Sequence, residues 1–263
     1  MFLLLRLASI ISCVALTVVF FLFNFKGNIL LPPERQGSSG LFLLKYEFYA
    51  VIASVFVFML YTVITQIFVY SNFAKTKTIE ILFFSAFLIG CLTESARLII
   101  PLNGSWAFTS PLVLFAGRVI VLGRMLCPLS FLFIALMSDP EQRLNEERNM
   151  TMIFFTSMVC CAIIPINSVQ VTHLCTIKWG YQTFLFIFRL SVFLLSGVSI
   201  LAAGIQQGSE RIRQTVAGYA TLVTGYFILC NTDNYLKLFA GTALMASGTY
   251  LYLSNLHRKY LWQ

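Results

Sequence analysis

Eight apolar stretches divide the chain, at residues 2–23, 49–70, 79–101, 111–137, 151–170, 182–203, 215–230 and 235–255. About 20 mostly apolar residues, wound as a helix, cross a hydrocarbon core of about 30 Å. Lipid offers no partner to the backbone, so a spanning segment must bond its own N–H and C=O groups. Only 11% of the residues are Asp, Glu, Lys or Arg, less than half of the roughly 25% usual in soluble domains. The predicted fold is therefore an all-α membrane protein, an N-terminal signal-anchor helix followed by a seven-helix transmembrane bundle.

Four parts follow. Residues 1–23 form a signal anchor or a signal peptide. Arg6 ahead of an apolar run has the form of a secretion signal, but the run is long and lacks a clear small-residue cleavage site. Ile10-Ile11-Ser12-Cys13 faintly resembles a lipoprotein site, against which the run continues to Phe23. Residues 24–47 read as an extracytoplasmic linker, with Pro32-Pro33 and Gly37-Ser38-Ser39-Gly40 as breakers. Residues 48–257 are the seven-helix domain and 258–263 a cytoplasmic tail.

Orientation follows from the basic residues, which favour the cytoplasmic side. Nine lie on the N-terminal side (Arg6, Lys75, Lys77, Arg143, Arg148, Arg211, Arg213, Arg258, Lys259) and five on the other (Lys26, Arg35, Lys45, Lys178, Lys237). Both termini are therefore expected in the cytoplasm. If the first segment is removed, the C-terminus stays there. The net charge of +8 is scattered singly or in pairs, so it indicates loop anchoring and no nucleic-acid partner.

The remaining four basic residues, Arg97, Arg118, Arg124 and Arg189, fall inside apolar helices, as does Glu94. A charge at bilayer depth costs about 2.5–3.5 kcal/mol or more, so each needs compensation. From the helical rise, Glu94, Arg118 and Arg189 each lie about seven residues, roughly 10 Å, below the outer end of their helices. Asp233 sits in the outward turn Asn231–Asn234, and Arg124 is deeper. Gly117, Arg124 and Pro128 share one helix face, while Arg118 lies about 120° away. In one reading Glu94 pairs with Arg118 and Asp233 with Arg189, as ionic glue. In the other, Glu94, Arg118, Arg124, Arg189 and Asp233 line an outward pocket whose surplus positive charge suits an anionic small-molecule ligand.

Seven cysteines lie mostly in apolar runs without a C-x-x-C pair and read as small buried apolar residues. Cys175 is on a loop. Only His173 and His257 could supply imidazole, and they fall on opposite sides. No metal site or cofactor is predicted, and no catalytic motif such as H-E-x-x-H, a P-loop or G-x-S-x-G is present. Asn103-Gly104-Ser105 matches a glycosylation acceptor, and Trp106 suits a membrane–water interface. Ala240, Ala243 and Ser247 share one face of the last helix, and Gly241 and Gly248 a neighbouring one; Gly218 and Gly225 offer the same on the preceding helix. Such residues let helices approach in lipid.

From about residue 48 the order of features resembles the seven-transmembrane sensor region found at the N-terminus of some bacterial histidine kinases and diguanylate cyclases. Leu92-Thr93-Glu94-Ser95-Ala96-Arg97-Leu98 is similar to that family's helix end, with Trp106 in the following outer turn. Arg118, Gly123 and Cys127-Pro128-Leu129 stand where the family has a glycine, then Pro-Pro and an aromatic; Ile164-Pro165-Ile166-Asn167 resembles another helix end. The short Arg211–Gln214 link and the Asn231–Asn234 turn also match in place. The resemblance implies a bacterial inner-membrane sensor of an extracytoplasmic or membrane-embedded ligand. With no output domain after the last span, it implies signalling through a cytoplasmic or membrane partner and no enzymatic activity. A small solute transporter and a non-catalytic membrane assembly factor are the alternatives.

The charge asymmetry is testable: a fluorescent reporter that folds only in the cytoplasm, fused at the C-terminus, is expected to fluoresce, and alkaline phosphatase there to stay inactive. The opposite pair of results inverts the topology.

Overall fold

The computed structural model describes residues 45–73, 79–102, 111–137, 146–206 and 212–261, with scattered helical residues between Ile10 and Phe21. The rest of the first segment, the linker at 24–44, the glycosylation acceptor, Trp106 and Arg211 lie outside the described residues.

Among the described residues from 48 onward, seven helices follow one another: α1 (Phe48–Phe73), α2 (Ile79–Leu92), α3 (Pro111–Leu136), α4 (Glu146–Ile163), α5 (Gln182–Gln206), α6 (Ile212–Cys230) and α7 (Tyr235–Leu261). α2 continues through a 3-10 segment, Thr93–Leu98, into a last turn, Ile99–Leu102. Four of these rods, α1, Ile79–Leu102, α3 and α5, are long and apolar enough to cross a membrane. The apolar part of α4, Arg148–Ile163, is shorter, and α6 and α7 carry more polar residues.

The expected helix over 151–170 ends early. It stops at Ile163, and Ile166–Thr172 is instead a strand, β1, antiparallel to β2, Thr176–Trp179. Pro165 cannot donate to the helix, and it pushes the residue before it out of helical conformation. The β-branched Ile166, Val169, Val171 and Thr172 beyond it suit a pleated strand. The hairpin is irregular in register between Ile166 and Val171. At its base the Gly180 N–H donates to the Pro165 carbonyl at 2.8 Å.

One end of the bundle gathers three connections. The Tyr46 hydroxyl donates to the His173 carbonyl in the hairpin turn, at 2.8 Å. The Glu47 N–H donates to the Asp233 carbonyl in the α6–α7 turn, at 3.0 Å. The start of α1, the hairpin and the α6–α7 turn thus share an end. Ile177 of β2 seats in the space left by Gly117 of α3, where an added Cβ would stand 2.7 Å from its Cδ1.

Below the hairpin the interior is aromatic. Phe58, Phe84, Phe87, Phe131, Phe193, Tyr219, Tyr226 and Tyr252 belong to one buried cluster. Phe131 touches Phe87 at 4.9 Å and Tyr219 at 5.1 Å between ring centroids; such pairs favour tilted and edge-to-face geometry. The outer surface is apolar as well: Phe155, Ile163, Val198 and Phe239 are all exposed. Exposed apolar side chains around most of the bundle are what lipid as solvent requires.

α6 and α7 pack through glycines. A Cβ at Gly225 would stand 2.5 Å from the Met245 nitrogen, and one at Gly218 2.8 Å from that of Tyr252. A Cβ at Gly248 would run into the Leu222 nitrogen. Gly218, Gly225, Gly241 and Gly248 thus serve packing within the chain, whereas Ala240, Ala243 and Ser247 are exposed on the other side of α7. The segment before α1 also touches the bundle, with Cys13 Sγ 3.7 Å from the Met59 carbonyl oxygen.

Because the obstacle at Gly248 is backbone, it cannot rotate away. Gly248→Val is expected to destabilise the protein by about 1–3 kcal/mol through overpacking, read as a lower melting temperature in detergent. An unchanged melting temperature rejects the close α6–α7 contact.

Candidate functional site

The site is built on the contact between α2 and α3. Gly90 and Gly123 face each other: a Cβ at Gly90 would stand 2.9 Å from the Gly123 carbonyl oxygen, and one at Gly123 2.7 Å from that of Gly90. Thr93 folds its hydroxyl back onto the Gly90 carbonyl at 2.7 Å and lies against Gly123. Glu94 is one turn beyond Gly90, and Arg124 adjoins Gly123. The close approach of the two backbones therefore brings a carboxylate and a guanidinium into contact.

Arg124 grips Glu94 with two donors: Nε at 2.6 Å from Oε1 and Nη2 at 3.0 Å from Oε2. This fork geometry is the strongest form of the pair. Arg97 joins from the same rod, its Nη1 3.5 Å from Glu94 Oε2. In a 3-10 segment residues three apart eclipse each other, which puts Arg97 on the side of Glu94. The other end of the Arg97 guanidinium leaves the rod. Nε and Nη2 both donate to the Leu174 carbonyl in the hairpin turn, at 3.0 and 2.7 Å. Trp179, the last residue of β2, lies under Arg124, with the guanidinium carbon 4.9 Å from its ring centroid. The Cys230 thiol at the end of α6 stands 3.8 Å from Glu94 Oε1.

Arg189 approaches from α5. Its guanidinium lies over Phe227 at 5.3 Å and Tyr226 at 5.9 Å, and Nη2 is 3.5 Å from the Tyr226 hydroxyl. It is within electrostatic reach of Glu94 but forms no ion pair among the described residues. Glu94 and Arg97 are fully buried, Arg189 is 5% exposed and Arg124 7%. Three arginines therefore surround one carboxylate, a formal surplus of two positive charges. Three buried donors find no hydrogen-bond acceptor among the described residues: Arg97 Nη1, Arg189 Nε and Trp179 Nε1.

The expected pairing of Glu94 with Arg118 does not occur. Arg118 points elsewhere from α3, as the 120° separation from Arg124 allows. Its Nη1 donates to the carbonyls of Cys161, Ala162 at 3.3 Å and Ile164 at 2.8 Å. There it caps the end of α4, where unpaired carbonyls and the helix dipole favour a cation. Nor does Asp233 meet Arg189. Its carboxylate takes Lys237 at 2.8 Å, one turn along α7, while Asn234 accepts the Lys237 N–H at 2.8 Å and caps that helix. Of the five residues proposed from sequence, Glu94, Arg124 and Arg189 gather at one site, and Arg118 and Asp233 do local structural work.

Sequence reasoning left the hairpin out of the site. Arg97 was legible from its position three residues after Glu94, but Trp179 and Leu174 carried no signal, because the segment read as a loop. Cys175 is buried in the hairpin turn against Phe48, Val51 and Leu98, and burial pushes its thiol up to about 12. Among the described residues no group of His, Cys, Asp and Glu could hold a metal ion.

An all-α bundle with an apolar outer surface, four membrane-length helices and charges turned inward is a membrane protein. Compared with known proteins, the chain matches no family model and no curated protein.

Glu94→Gln is expected to cost about 3–5 kcal/mol, because Arg124 is left as an uncompensated buried charge. Combining it with Arg124→Leu should recover most of that loss, since removing both partners is far less costly than removing one. Melting temperatures of the two variants decide this; equal loss in both rejects the pair as the cause.

Proposed function

We propose that this chain is a seven-pass, non-catalytic membrane protein of sensor or receptor type. In this reading the hairpin end faces outward and the C-terminus lies in the cytoplasm of a bacterial cell. An anionic small molecule or membrane-embedded ligand acts at the hairpin end, and a cytoplasmic or membrane partner carries the signal onward. The observation that carries the reading is Arg189, a buried guanidinium with no ion-pair partner among the described residues. A carboxylate or similar anion would meet its free Nε and supply the missing charge.

Two features support sensing. Among the described residues the hairpin meets the cluster where Arg97 donates to the Leu174 carbonyl and Arg124 lies over the Trp179 ring, so an anion below it would compete with those contacts. A ligand that binds the lifted arrangement better than the seated one shifts the balance between them. The aromatic layer beneath fills the bundle, which favours a signal over passage of a solute. An assembly role is the second reading, and the forked grip of Arg124 on Glu94 favours it, because a buried pair of that kind also serves simply to set helix register.

The test is thermal melting of the purified protein with acetate, succinate, glutamate and inorganic phosphate. Saturation at about 100 times the dissociation constant stabilises by about 2.7 kcal/mol. At least one anion is expected to raise the melting temperature of the unaltered protein and not that of Arg189→Gln. No response to any anion, with Arg189→Gln at least as stable as the parent, rejects the sensor reading in favour of assembly. Flux of the same anions into proteoliposomes would make the protein a transporter.

A further inference from the structure

A groove of about 400 Å³ opens between α1 and α7, away from the charged cluster. Leu60, Ile64 and Phe68 line it from α1, and Thr242, Ala246 and Tyr250 from α7. At its floor the Tyr61 hydroxyl and the Thr249 hydroxyl are 2.7 Å apart and satisfy each other. The walls are otherwise mostly apolar, and the Thr242 hydroxyl is turned back onto the Leu238 carbonyl of its own helix at 2.7 Å. Leu60, Ile64 and Tyr250 are all more than 60% exposed, so the groove opens to whatever surrounds the bundle. α1 is one of the membrane-length helices, which makes that surrounding lipid.

The groove runs for about the depth of one leaflet's hydrocarbon. It follows α1 from residue 57 to 68 and α7 from 242 to 253, a length of about 16 Å on either helix. Half of a bilayer's hydrocarbon core is about 15 Å. Where the chain's own first segment is described, Cys13 lies against the Met59 carbonyl, and Met59 is not among the residues that line the groove. At the far end His257 of α7 closes on Phe73 of α1, with ring centroids 5.1 Å apart.

We infer that the α1–α7 groove is a lipid site, holding one acyl chain of a membrane phospholipid within a single leaflet. The walls recognise hydrocarbon. The hydroxyl pair at the floor is already bonded and demands nothing from the occupant, so selectivity is for chain length and shape. The chain acts as a wedge between the first and last helices of the bundle.

The test uses phosphatidylcholine with a diazirine in one acyl chain, incorporated with the full-length protein into nanodiscs and photolysed. Peptides containing residues 57–68 and 242–253 are expected to carry about tenfold more label than the exposed α4 surface around Phe155 and Met158, as for a bound against a passing lipid. Ala246→Trp fills the groove and is expected to bring labelling down to the α4 level; Leu60→Trp repeats this from the other wall should Ala246→Trp fail to fold. Equal labelling of groove and α4 in the unaltered protein, or undiminished groove labelling in a folded filled variant, overturns the proposal.

Discussion

The forked pair between Glu94 and Arg124 is the constraint on which the rest of the bundle depends. Neither charge is tolerable alone in an apolar interior. Together they require α2 and α3 to meet at one height and one rotation, and Gly90 and Gly123 are what permit it. Once the pair is made, Arg97 is held beside Glu94 by the 3-10 segment, and its free side turns to the Leu174 carbonyl. The hairpin is thereby fastened to the helices by the same ionic group that fastens two helices to each other. The charge arrangement and the fold of this end are one structure.

Arg189 is the member that this arrangement leaves over. Its compensation is the faces of Tyr226 and Phe227 and a distant view of Glu94. An aromatic face offers a cation about 0.5–2 kcal/mol, less than a carboxylate would. The excess is tolerated because the cluster sits at the end of the bundle and not at its middle. The middle is filled by aromatic rings from several helices, and Tyr226 of that layer is one of the two rings under Arg189. The molecule is thus polarised along its axis, with ionic cohesion under the hairpin and packing cohesion beneath. The glycine seam of α6 and α7 gives those two helices backbone contact without any charge.

The α1–α7 groove belongs to a different part of the molecule and obeys a different rule. There the surrounding medium, not the protein, supplies the packing partner. A bundle whose first and last helices meet at a bonded hydroxyl pair, at the His257–Phe73 contact and along apolar side chains leaves a furrow between them, and hydrocarbon is the medium available to fill it. The ionic end and the lipid-facing seam could respond to different ligands for that reason.

Membrane character, helix order and approximate helix ends were legible from hydropathy alone, because lipid demands long apolar runs and loops break them at Pro, Gly and charge. Glu94, Arg124 and Arg189 stood out in the sequence too, since a charge in such a run is costly wherever it points. The choice of partners was not. Depth estimates put Glu94 level with Arg118, but rotation about the helix axis and the glycine contact hand Glu94 to Arg124, and Arg118 goes to the carbonyls of α4. The small-residue pattern on α7 offered two faces, and only docking against α6 selected the glycines. The hairpin was hidden because a short β-branched run after a proline reads equally as the tail of an apolar helix. Single residues advertise the cost of burying a charge. Which neighbour meets that cost depends on rotation, register and backbone approach, and those arise only when the helices pack.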